Sequence, residues 1–227
     1  VKTKIEFQIV ITTTCLKGEV NLDRRSKTNN QTIMSLSRKA LKEIQKSRES
    51  EDFDLFMDEG VYMADEPGNC YLRWTHKGEL YKGQTHILKI RFNYGSNVKK
   101  SYPRNPPNIT FLTPIWHTNV GGQGAICLDI LKEGNGVQSW SPMYGLDAIL
   151  NSIQLLMDDQ NPSSPMNGSA GSMYKKGRAD HDMSEFIEYA HNYYIKKMDA
   201  IPPENFVARL MTAPEFEKPE VEIKDPK

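Results

Sequence analysis

The stretch IWHTNVGGQGAICLDIL, residues 115 to 131, brings together three residue types that can do chemistry: His117, Asn119 and, eight residues after the asparagine, Cys127. A cysteine set among apolar residues and glycines can fill a core, ligate a metal or act as a nucleophile, and each role calls for different neighbours. The chain has three cysteines, Cys15, Cys70 and Cys127, with no C-x-x-C pair among them. That pattern points to neither a disulfide framework nor a zinc knuckle, so no metal is expected and a reducing compartment, cytoplasmic or nuclear, fits best. Cys70 opens a run with Leu72 and Trp74 and reads as a small core residue.

At 227 residues the chain suits one full domain with extensions. Its 29 Lys and Arg balance 29 Asp and Glu, which leaves no overall field to attract nucleic acid or an anionic membrane. Partners are then recognised by local patches. No run approaches the roughly 18 apolar residues of a membrane span, and the opening VKTKIEFQIV lacks the apolar centre of a signal peptide. The chain is expected to be soluble, and its start at Val1 fits a fragment of a longer polypeptide.

Residues 1–31 read as an extension: Ile5, Phe7, Ile9 and Ile11 alternate like an edge strand, and RRSKTNNQ follows as a linker. From Thr32, Ile33, Leu36, Ala40, Leu41 and Ile44 recur at helical spacing, with Arg38, Lys39, Lys42 and Lys46 between them. Strand patterns follow in GVYMA, CYLRWT, HILKIRF and NITFL, the third alternating Leu88, Ile90 and Phe92 against Lys89 and Arg91. Strands without intervening helices suggest an antiparallel meander. YPRNPP, residues 102–107, is a rigid turn, because its prolines lack ladder donors. Leu146, Ile149, Leu150, Ile153 and Leu156 form the stripe of a later helix, and two more helices are predicted near AGSMYKKG and MSEFIEYAHNYYIKKM. The end, with five prolines among charges, reads as loosely wrapped or disordered. The predicted class is α+β: a four-stranded antiparallel meander, an N-terminal helix, a central helix and two C-terminal helices. The predicted division is 1–31 extension, 32–200 catalytic domain and 201–227 Pro-rich charged tail.

YPRNPP, IWHTN, GAICLDIL and WSP, in that order and followed by LLMDDQNPSSPMN, resemble the ubiquitin-conjugating enzyme family from about Leu36 to about Met198. The resemblance rests on five ordered motifs and on the Asn119 to Cys127 spacing, and Tyr81 and Gly83 match a further family motif. Four positions depart from the pattern. Thr118 stands where the family has the proline of His-Pro-Asn, and Ser164 stands where many members carry Asp. NYGSNVKKS and KEGNGVQS are longer than is common.

The resemblance implies that Cys127 accepts ubiquitin as a thioester from an activating enzyme and passes it to a substrate lysine, usually with a ligase. A free thiol with pKa near ~8.5 is ionised enough at neutral pH for thioester exchange without a triad base. His117, the first residue of the family tripeptide, reads chiefly as a residue that fixes the turn through its ring nitrogens. Asn119 can place an amide N–H against the charge that builds on the carbonyl oxygen, and it can also cap a turn. The acceptor lysine, with pKa near ~10.4, must be made neutral at the site. Ser164 is the first candidate for that gate, ahead of Asp158 and Asp159, which read as solvated residues at a helix end.

The resemblance also implies ligase contacts at Arg104, Pro142 and Met143 and activating-enzyme contacts at Arg38, Lys39 and Lys42, with exposed surface as the plainer alternative. No bound cofactor is implied, since ATP is used by the activating enzyme. The turn-prone Gly134, Asn135 and Gly136 predict a mobile flap beside the thioester. Competing functions are a non-catalytic ubiquitin-binding adaptor, a conjugating enzyme for another ubiquitin-like modifier, and a thiol hydrolase.

Overall fold

The structure is a computed structural model, and it describes residues 38–48, 54–57, 69–92, 102–134 and 139–213. The expected strand GVYMA, the extension 1–31 with Cys15, the insertion NYGSNVKKS, residues 135–138 of the expected flap, and everything after Ala213 lie outside the described residues.

Helix α1 (Arg38–Arg48) buries Ala40 and Ile44 and leaves Lys42 and Lys46 in solvent, as its spacing predicts. An antiparallel sheet follows in the order β1 (Asp54–Met57), β2 (Asn69–Thr75), β3 (Thr85–Arg91) and β4 (Asn108–Phe111). The first of these is a segment the sequence pattern does not single out, since four residues opening on an acid carry too little alternation. Its place is fixed by pairing Asp54 with Arg73 and Met57 with Cys70. Between β2 and β3, Cys70 faces Ile90 and Leu72 faces Leu88.

The sheet is covered on both faces. On one, Cys70, Leu72, Trp74, Leu88, Ile90, Ile109 and Phe111 join a single core with Leu146, Ile149, Leu150 and Ile153 of helix α2 (Leu146–Asp158). The fifth core-facing position of α2 is Met157, and Leu156, predicted for the stripe, is half-buried at the edge of a cleft. Helices α3 (Gly168–Asp180) and α4 (Ser184–Asp199) close the domain beyond it, adding Tyr174 and Phe186 to the core.

On the other face the prediction needs correction. The expected loose tail carries a further helix, α5 (Phe206–Thr212), so three helices follow α2 rather than two. Leu210 is fully buried with Tyr71 and Ile87, the outward partners of the β2 and β3 alternation, and Phe206 meets Tyr71 edge to face at 4.7 Å. Arg73 fixes the end of α5: its Nη1 donates to the carbonyls of Leu210 at 2.7 Å, Met211 at 3.2 Å and Ala213 at 2.7 Å. Those are the carbonyls a helix C-terminus leaves without partners, and a guanidinium also meets the negative end of the helix dipole. A local pattern cannot show this, because the cation lies far upstream. Among the described residues, no helix is long and apolar enough to cross a membrane.

Candidate active site

After β4 the chain makes an extended passage to Trp116 and then turns through His117, Thr118 and Asn119, all essentially buried. Each polar group of the turn has a defined partner. The imidazole of His117 donates from Nε2 to the carbonyl of Leu156 at 2.9 Å and accepts the Asn119 N–H at Nδ1, also at 2.9 Å. That pair of bonds fixes one neutral tautomer. Burial, opposed by the Leu156 carbonyl and reinforced by His76, pushes the His117 pKa down to about 4. With its lone-pair nitrogen occupied and its proton pointed at a helix carbonyl, His117 holds the turn and has no free nitrogen to act as a base.

From Asn119 the chain doubles back through a glycine turn to Cys127, whose N–H donates to the Asn119 carbonyl at 2.9 Å. Gly124 makes the reversal possible. Its φ is +75°, and a β-carbon there would run into the carbonyl oxygen of Phe111. The apolar run around Cys127 is not core as its composition suggests. Ile126, Cys127 and Leu128 are each half-buried, because this segment forms only isolated bridges to the sheet region and leaves one side open. Cys127 is a free thiol, and Cys70 is a fully buried one.

The open side is a cleft of about 250 Å³ lined by Asn119, Cys127, Leu128, Asp129, Lys132, Leu156, Asn161 and Ser164. The structure thus brings Cys127, Asn119 and Ser164 to one cavity across widely separated segments. The amide of Asn119 bridges to the loop after α2: Oδ1 accepts from Asn161 N at 2.8 Å, and Nδ2 donates to Asn161 O at 2.8 Å and to Ser164 O at 3.3 Å. Ser164 is exposed at the rim. Asp158 turns elsewhere, to His76 Nε2 at 3.0 Å, and Asp159 is exposed at the helix end. Asp129 and Lys132, 2.5 Å apart, are lining residues that sequence reasoning passed over. Their nearness to Cys127 in sequence was the available signal.

The two loops expected to meet a ligase lie side by side. Trp140 Nε1 donates to Pro103 O at 2.9 Å, and its ring packs against Tyr102 at 5.7 Å. This leaves Arg104, Pro142 and Met143 exposed on neighbouring turns, and Met143 at 90% is the most exposed large apolar side chain described. The helix expected to meet the activating enzyme is different in detail. Lys39 donates to the carbonyls of Pro142 and, at 2.8 Å, Tyr144, so its charge ties α1 to the loop before α2. Glu43 from the next turn accepts the Leu146 N–H and caps α2. Lys42 stays exposed, and the Arg38 side chain lies outside the described residues.

A family model described as ubiquitin-conjugating enzyme matches residues 63–189, more than half of the chain. The matched segment runs from before β2 into α4 and contains every member of the cleft.

Proposed function

The chain belongs to the ubiquitin-conjugating enzyme family, and from that premise we propose that it accepts ubiquitin on Cys127 and transfers it to lysine. The observation that carries the reading is the shared cleft: a half-buried free thiol, Cys127, and Asn119 line the same cavity. In the first step the Cys127 thiolate attacks the thioester carbonyl of ubiquitin held by the activating enzyme. The carbon–sulfur bond to that enzyme breaks, its thiolate leaves, and the thioester now rests on Cys127. In the second step a neutral lysine amine attacks the same carbonyl, the amine loses a proton, and the Cys127 thiolate leaves as the amide forms.

Asn119 acts in the second step. Its longer bond, 3.3 Å to Ser164 O, is the one that yields, freeing an N–H for the developing oxyanion while the two bonds to Asn161 keep the amide plane oriented. Ser164 at the rim is the polar group beside the incoming lysine. His117 contributes by holding the turn. Arg104, Pro142 and Met143 form the ligase-facing surface, and Lys42, exposed on α1, faces the activating enzyme. No cofactor is used at this site, ATP being consumed by the activating enzyme.

The test is charging with activating enzyme, ATP and a panel of ubiquitin and ubiquitin-like modifiers. The expected product is a reductant-sensitive adduct that Cys127→Ala abolishes and Cys127→Ser converts to a slower, reductant-resistant ester. Normal charging by Cys127→Ala, or by no modifier in the panel, would overturn the reading; the second outcome would favour a non-catalytic adaptor. Hydrolysis of a ubiquitin ester without activating enzyme would favour a thiol hydrolase instead.

A further inference from the structure

Thr118 occupies the centre of the turn with no exposed surface, and unlike a proline it carries an N–H that burial forces to find an acceptor. The acceptor is the side chain of Gln160, whose Oε1 lies 2.8 Å from Thr118 N. Gln160 is itself only 4% exposed, and its Nε2 donates to the Tyr81 hydroxyl at 2.8 Å. Tyr81 in turn donates to the Trp116 carbonyl at 2.7 Å. Gln160 directly, and Tyr81 bonded to it, therefore hold the peptides on the two sides of His117. The carbonyl of Thr118 is held as well, accepting from Met166 N at 2.8 Å and Asn167 N at 3.0 Å. Gln160 also directly precedes Asn161, whose backbone clamps the Asn119 amide.

We propose that Gln160 is a positioning residue for Asn119, its side chain replacing through a hydrogen bond the backbone restriction that a proline at position 118 would supply. The inference rests on the proposed transfer at Cys127. Without the acceptor, a donor in a water-excluded turn is left unsatisfied, and the turn relieves this by rotating the His117–Thr118 peptide, which shifts the residue that carries Asn119. The effect falls on aminolysis, where Asn119 acts, and not on loading of the thiol, whose own segment makes no bond to Gln160.

Gln160→Met keeps the side-chain length and removes both polar atoms. It is expected to charge at the parental rate and to discharge to free lysine roughly tenfold more slowly per charged molecule, a readout insensitive to the folded fraction. In a Thr118→Pro background, where the N–H is gone, the same change is expected to slow discharge by less than about twofold. Equal slowing in both backgrounds, or no slowing in the first, overturns the proposal. Should the proline variant not fold, amide exchange in Gln160→Met decides: Thr118 N–H is expected to exchange at least about tenfold faster with Cys127 N–H unchanged. Retained protection at Thr118 overturns the assignment. Failure of the parent protein to charge with any modifier would sink the proposed activity alone, because the exchange measurement still reports on the bond.

Discussion

Acidifying the protein from about pH 6.5 to about pH 4.5 is expected to remove about 5 kcal/mol of stability, and two buried imidazoles supply the figure. Burial drives His117 down to about 4 and His86 to about 3, the latter assisted by the nearby His76 and His117. His86 is wholly buried among Trp74, Tyr81, Phe111 and Tyr194, with Nδ1 3.3 Å from Thr113 Oγ1. Above the ordinary value of 6.5 both residues are neutral in the folded and the unfolded chain, so they add nothing to the pH dependence. Below it the unfolded chain binds two protons that the native state refuses until about 4 and about 3, and stability falls with pH across that window. At about 1.36 kcal/mol per pH unit for each group, two units cost somewhat under 3 kcal/mol per histidine. The total rivals the ~5–15 kcal/mol that holds a typical domain together. Asp147, held below the ordinary carboxylate range by Lys46, and Asp182, held there by Ser184, titrate at lower pH. Urea midpoints measured at half-unit steps would show the loss, with an unchanged denaturant slope. His86→Leu should roughly halve the dependence of the midpoint on pH. A midpoint that stays constant over the window, or a pH slope in His86→Leu equal to the parent's, would refute the reasoning.

Asn119→Ala is expected to charge at Cys127 and to discharge to free lysine ~10²–10³ more slowly in a single-turnover assay; an unchanged rate in the folded variant would reduce Asn119 to a turn residue. Gly124→Ala places a β-carbon against the Phe111 carbonyl at φ +75°, so a loss of at least ~2 kcal/mol in urea unfolding is expected. Arg73→Met retains the aliphatic stem and drops the bonds to three carbonyls of α5. Faster amide exchange within Phe206–Thr212, a stability loss of ~1–3 kcal/mol and unaltered charging are the expected results. Unchanged exchange there would show that Leu210 and Phe206 alone hold the helix.

The elements whose order is written in local period were legible in the sequence. Leu88 and Ile90 alternate because a strand turns its side chains over every residue, and Leu146, Ile149, Leu150 and Ile153 recur because a helix does so every 3.6. The linear spacing of Asn119 and Cys127 was legible for a similar reason: both ends of one reversal lie in one short segment, joined by the Cys127 to Asn119 backbone bond. What the sequence could not determine are the pairings across long separations. Lys39 reads as a free cation on a basic face, yet two carbonyls before α2 take its charge. Arg73 reads as an outward strand residue, yet it caps a helix in a segment whose prolines and charges suggest a loose tail. Asp158 reads as a solvated helix-end residue behind Ser164 as gate and pairs with His76, while Gln160, inside a family motif but with no role read for it, satisfies Thr118. Local backbone geometry repeats with a short period and leaves its trace in composition. The partner of a buried donor or charge is chosen by whichever acceptor the packed chain brings within about 3 Å, and only the tertiary structure decides which that is.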